Sequence, residues 1–371
     1  MLRTTRTRPG RLLAALVAIG ATLSACGDGE PDAEPEATEE ATEDAGSDSE
    51  EPEETEETED DGAAEADEEV TLSFAHSYGT EHPHHRCGVQ AVADKVAEAD
   101  VGLTIEVFPN SQLGGDADRF TSVMSGDIDV DLQGSSALSA TYEPIGLLDV
   151  AYAFDGADHI FSFFDSEDSA ELRGNFEAET GTKILDIWFF GMRHFTANSP
   201  IRTPEDLQGL RMRFPDSPTY LANAEALGAD ATPVAFEEVY LSLQQGVIDG
   251  QENPIPTIAQ MNFVEVQDYI SLSGHQAGAQ LSVIGDAAWE RLSTGQQETL
   301  EAVFDEVRLE NRECIDQAEA DLLAEWEETG AIEIVDDVDV EAFRTRAEDY
   351  FRERFDGFTL ETYETIRASA P

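Results

Sequence analysis

The stretch Glu238–Pro254, EVYLSLQQGVIDGQENP, decides how this chain is read. Its first half completes a helical pattern over Phe236–Gln245. Gly246 sits just past the last periodic residue, where a glycine stops a helix without steric cost. Its second half ends in Gln251-Glu252-Asn253 before Pro254, and asparagine in front of proline suits a turn.

Outward from this stretch, strands and helices alternate. Upstream, Lys183–Phe190 (KILDIWFF) is a strongly apolar strand, Met192–Ala197 and Leu210–Phe214 read as further strands, and Pro218–Leu227 as a helix. Downstream, Val266–Ser273 and Gln280–Ile284 read as strands. Thr294–Glu328 is a helical stretch of up to 35 residues with Gly330 beyond its end. At about 1.5 Å per residue it outreaches a small domain and is expected to span two lobes. An earlier cycle begins with a strand at Val70–Ala75, a helix at Cys87–Ala99 and a strand at Leu103–Phe108. A helix follows, opened by Asp116 as its N-cap and closed by Gly126, then a strand at Ile128–Leu132. Helical patterns cover much of Ser135–Glu179. The alternation implies an α/β fold with mainly parallel pairing.

Further segments recur in order with Glu238–Pro254. They are Gln112-Leu113-Gly114-Gly115, Gly126-Asp127-Ile128-Asp129, Gly191-Met192-Arg193, and Pro204–Arg213 (PEDLQGLRMR). The set resembles the DctP-like solute receptors of the tripartite ATP-independent periplasmic (TRAP) transporters, over most of residues 70–371. The resemblance implies a two-lobed Venus flytrap fold, with strands crossing between the lobes and the ligand in the cleft. It implies no enzymatic activity and no cofactor. The ligand would be a small organic acid, delivered to a separate membrane permease. Lobe I is expected over 70–190 with 279–318, and lobe II over 191–278 with 319–371. Two other functions compete: a ligand-sensing lipoprotein that signals through a partner, and the receptor of an ATP-driven importer.

The chemistry of individual residues fits that expectation. Arg213 ends a strand before Phe214-Pro215, so its side chain can reach a cleft beside a loop. A guanidinium offers two parallel donors that match a carboxylate. Read from the residues alone, Arg213 serves a surface ion pair equally well; the resemblance places it at the family's carboxylate-binding arginine. By the same resemblance Arg193 completes or orients the clamp, and Asn253 hydrogen-bonds the carboxylate. Further lining candidates are His76 at the end of the first strand, Gln133 as a partner for ligand hydroxyls, and Trp188 with Phe236 as an apolar wall. Asp216 is read as orienting an arginine or binding hydroxyls. For His76, Gln133, Trp188 and Phe236 the competing reading is core or helix filler.

Charge divides the chain. Lys and Arg number 21 against 80 Asp and Glu, a formal charge of −59, which excludes a phosphate-tracking nucleic-acid binder. Residues 1–26 carry four arginines and then a short apolar run from Leu12 to Leu23, the pattern of an export signal. The run closes on Leu23-Ser24-Ala25-Cys26, which resembles a lipobox. That implies lipidation of Cys26 and an extracytoplasmic protein anchored to the cell membrane. Residues 27–69 hold 23 acids, no base and no aromatic, and are expected to form a disordered tether. The body that follows keeps 57 acids and 17 bases, with Lys95 and Lys183 as its lysines, a surface suited to a salty medium.

His82, His84, His85 and Cys87, with His76 nearby, invite a metal reading. Pro83 and the close spacing point instead to a loop entering a helix, and no metal is expected. The body has two cysteines in an oxidising compartment, on predicted helices of lobe I. A Cys87–Cys314 disulfide is therefore expected.

Overall fold

The computed structural model describes residues 68–370. The segment read as an export signal, Cys26 and all but the last two residues of the acidic segment 27–69 lie outside the described residues.

Nine strands form one mixed sheet: β1 (Val70–His76), β2 (Leu103–Phe108), β3 (Val130–Gly134), β4 (Thr182–Ala197), β5 (Arg211–Phe214), β6 (Asp230–Pro233), β7 (Gly250–Pro254), β8 (Tyr269–Gly285) and β9 (Glu333–Val335). Their order is β2-β1-β3-β8-β4-β7-β5-β6, with β9 on β8. The flanking pairs β1–β2, β1–β3, β5–β6, β5–β7 and β8–β9 are parallel, as strand–helix alternation predicts. The central pairs β3–β8, β4–β8 and β4–β7 are antiparallel, and the sequence reading missed this.

β4 and β8 carry the architecture. The sequence suggested two strands on either side of Gly191, and two more on either side of residues 274–279. Each pair is one continuous strand, of 16 and 17 residues. Gly191 does not end β4 because it adopts φ +110°, a conformation open to glycine, at a register shift that bends the strand without stopping it. A Cβ there would lie 2.6 Å from Glu319 Oε1 and 2.9 Å from Pro254 Cβ. The first halves of β4 and last residues of β8 pair beside β3; the other ends pair with β7 and β9. The sheet thus falls into two halves joined by two crossing strands, the two-lobed arrangement.

The long helix Thr294–Thr329 is capped by Ser293 and Gln296 and stopped by Gly330. Its Leu300, Val303, Phe304 and Val307 pack with Phe74 and Trp188, while Trp326 packs with Ile255 and Phe263. From Phe304 to Trp326 is about 33 Å along the axis, so one helix buttresses two separate apolar clusters. Cys314 lies between these two contacts, bonded to Cys87, with Cα atoms 6.4 Å apart. Among the described residues no helix is long and apolar enough to cross a membrane.

One cap is corrected. Asp116 is the first residue of its helix (Asp116–Ser125), with Gly115 as N-cap. Its carboxylate is engaged elsewhere, accepting from Ser77 Oγ (2.6 Å) and Arg119 Nη2 (2.9 Å).

Candidate functional site

In open α/β sheets a ligand crevice forms beyond the carboxyl ends of the parallel strands. Here β1, β3, β5 and β7 end around one cavity of about 80 Å³. Ser77 and Tyr78 follow β1, Gln133 and Gly134 close β3, Arg213 lies near the end of β5 with Pro215 just beyond it, and Asn253 lies at the end of β7. The crossing strands add Phe190, Arg193 and Gln280 from their midpoints; Asp116, Tyr220 and Phe236 complete most of the wall. At about 10–15 Å³ per water-sized group, the space suits a compact small molecule.

Arg213 is 3% exposed. Its Nε donates to the Val234 carbonyl (2.9 Å), and among the described residues it forms no salt bridge. Burial, with Arg193 nearby, lowers its pKa to about 10, although Glu252 opposes this; it stays charged at neutral pH. A buried cation without a carboxylate of its own is costly unless an anion arrives.

Arg193 is buried too, but it is already paired. Its Nε reaches Glu252 Oε2 (2.5 Å), and its Nη2 reaches Glu252 Oε1 (2.7 Å) and the Glu252 carbonyl (2.8 Å). Burial opposes its charge, yet the Glu252 carboxylate outweighs burial and raises the pKa. Glu252 in turn is held below its usual range by Arg193 and His275, against the effect of burial. The Arg193 guanidinium lies 5.1 Å from the Tyr220 ring centroid and 5.6 Å from that of Phe190.

Arg213, Arg193, Asn253, Gln133 and Phe236 are thus brought together. Asn253 Nδ2 donates to Gln251 Oε1 (2.6 Å). Three other candidates are not in the cavity wall. His76 is consumed within its own loop: its Nδ1 accepts from Tyr78 N (3.1 Å) and its Nε2 meets His85 Nδ1 (3.1 Å). The next two residues, Ser77 and Tyr78, take its place. Trp188 packs into the core against Phe304, its Nε1 donating to Asp186 Oδ2 (3.2 Å). Phe190, two residues on, lines the cavity instead. Asp216 is exposed in a neighbouring depression that shares Arg213 and Phe236 with the cavity.

Sequence reasoning missed Tyr78, Asp116, Phe190, Tyr220 and Gln280. Phe190 ended an apolar run that signalled core, and Tyr220 sat on a helix with no polar partner in view. The histidine run forms an aromatic layer against this wall. His82 stacks on Tyr78 with ring centroids 4.5 Å apart, and His84 on Phe190 at 5.4 Å. His84 Nδ1 pairs with Asn311 Oδ1 (2.9 Å), and burial drives its pKa down to about 3. A neutral, stacked imidazole held by an amide packs as part of the core.

The model of bacterial extracellular solute-binding proteins, family 7, matches residues 74–357. The sialic acid-binding periplasmic protein SiaP of Vibrio cholerae is 29% identical over 263 residues, which is 71% of this chain and 81% of that protein. The 2,3-diketo-L-gulonate-binding periplasmic protein YiaO of Escherichia coli is 31% identical over 254 residues, 68% of this chain and 77% of that one. A TRAP periplasmic solute-binding protein of Roseobacter denitrificans, solved with bound L-galactonate, is 28% identical with a TM-score of 0.75, covering 81% of this chain and 99% of that one. With its strand-end cavity and its match over most of the folded body, the chain belongs to the bacterial extracellular solute-binding proteins of family 7.

Proposed function

We propose that this protein captures an organic acid outside the cytoplasm and delivers it to a TRAP membrane permease, without chemically changing it. The observation that carries the reading is Arg213: a buried, charged guanidinium at a strand end, in a cavity, with no salt bridge among the described residues. A ligand carboxylate supplies the missing counter-charge. Asn253 adds an amide beside it, and Tyr78, Phe190 and Phe236 supply apolar walls. The three relatives named above are each described with a sugar acid or related acid.

In this reading the lobes are 70–190 with 279–318 and 191–278 with 319–371, and they close on ligand about the crossing strands. Lipid on Cys26 anchors the protein, and residues 27–69 space it from the membrane. Thermal-shift screening against an organic-acid library tests the proposal, since a ligand that binds only the folded state raises stability by RT ln(1 + [L]/Kd). Several acids should raise the melting temperature. If none does so in folded protein at millimolar concentration, the reading fails.

A further inference from the structure

The carboxylate reading rests on Arg213; the rest of the same cavity specifies what else the ligand carries. Three cations stand at or just behind the wall, and two are committed. Arg193 is closed by Glu252. Arg119, fully buried, donates its Nε to Asp131 Oδ1 (2.9 Å), its Nη2 to Asp116 Oδ1 (2.9 Å) and its Nη1 to the Gly114 carbonyl (2.9 Å). Arg213 remains the single cation of the three that can receive an anion.

Across the crossing strands from β5, the wall is rich in acceptors. Gln133 Nε2 donates to Asp131 Oδ2 and to the Asp116 carbonyl (2.7 Å). Two acceptors on one nitrogen fix which way the amide points. That leaves Gln133 Oε1 as the free atom, and it is buried with no partner. Gln280, on β8, also keeps a buried Oε1 without a partner. Asp116 adds a carboxylate to the same wall. An unpaired buried acceptor costs the desolvation of a polar group, and a ligand donor recovers that cost. A second ligand carboxylate would bring more acceptors and negative charge against Asp116, with no cation to meet it.

We propose that the site selects a monocarboxylate whose remaining polar groups are hydrogen-bond donors, hydroxyl or ammonium, and that Gln133 is a specificity-determining residue that rejects dicarboxylates and rewards donors. The inference depends on the carboxylate reading above. Isothermal calorimetry on the mature folded protein tests it with four-carbon acids that differ only in substituents: butyrate, erythronate, 2-aminobutyrate and succinate. A six-carbon set of hexanoate, galactonate and adipate repeats the comparison. In at least one set, the donor-bearing monocarboxylate should bind at least tenfold more tightly than both the plain acid and the diacid. Erythronate against 2-aminobutyrate tells hydroxyl from ammonium. Gln133→Leu should collapse the preference, so that within the variant the favoured acid binds no more tightly than the plain acid. Succinate or adipate binding as tightly as its donor-bearing partner overturns this inference and leaves the carboxylate reading standing. Binding of any acid that survives Arg213→Ala undiminished overturns both, as does the absence of binding across both sets.

Discussion

Arg193 and Glu252 are diagonal neighbours on β4 and β7, locked together by two side-chain hydrogen bonds of 2.5 and 2.7 Å, and both are buried. The pair places a cation in the cavity wall while cancelling its charge. Glu252→Gln keeps the shape and removes the cancellation. Breaking a buried pair by removing one partner costs about 3–5 kcal/mol, so the variant should melt clearly lower than the parent. Where it folds, it should gain affinity for dicarboxylates, because Arg193 becomes a second anion receptor. Calorimetry with succinate on parent and variant checks this; an unchanged or weaker succinate response refutes it.

Arg213→Ala should abolish measurable carboxylate binding. Losing one partner of a buried charge-assisted contact costs on the order of 2–5 kcal/mol, or roughly 30- to 5,000-fold in affinity. Arg213→Lys should restore only part, because an ammonium cannot reproduce the two-pronged fork. Near-parental affinity in the alanine variant would refute the assignment.

Glu319, on the long helix, accepts a hydrogen bond from the Met192 backbone N–H beside the Gly191 bend, and its Oε1 has no partner. Burial, reinforced by Asp316, lifts its carboxyl from 4.5 to about 8. Between those values the folded state holds a proton that the unfolded chain has released. Its contribution to stability is therefore intact below pH 4.5, falls as pH rises, and levels off above 8. Glu319→Gln removes that slope. The variant should be more stable than the parent at pH 8.5, by on the order of 5 kcal/mol, and about equal near pH 4.5. Denaturant melts at the two pH values decide it; a constant difference would refute it.

The Cys87–Cys314 bond closes a loop with a sequence separation of 227 and ties the first helical segment to the long helix. The chain-entropy estimate for a loop of that length is roughly 5 kcal/mol. Cys87→Ser with Cys314→Ser should lower the melting temperature strongly. Alkylation of unreduced, denatured protein followed by mass spectrometry should find neither thiol free.

Regular elements were legible where local physics decided them. Leu103–Phe108 and Pro218–Leu227 were read at their observed bounds, the first from a clean alternation and the second from a helical pattern, which Gly228 caps in the left-handed conformation. β7 was not, because Gln251, Glu252 and Asn253 are a buried polar strand that looks like a turn. Its polar groups are satisfied by Arg193 and Thr196, more than 50 residues away. The site was half legible for a related reason. The family resemblance pointed to Arg213, Arg193 and Asn253, and the end of the third strand pointed to Gln133. Whether His76 or its successors Ser77 and Tyr78 reach the cavity depends on how the loop closes on His85, which no periodicity encodes. Likewise, period-two alternation along β4 gives Trp188 and Phe190 the same face and cannot say which of them meets the core.

Because β4 and β8 each belong to both halves of the sheet, neither half corresponds to an unbroken length of gene. A recombination event with one boundary between β4 and β8 would sever Trp188 from Gln280 and Thr196 from Ile270, and would leave pairing partners from two different ancestors to fit each other. Exchanging one half of the sheet as a single contiguous module is therefore closed to such a receptor. Its diversification has to run one side chain at a time inside a fixed frame, through positions such as Gln133, Gln280 and Glu252 that change the cavity and leave the crossings intact.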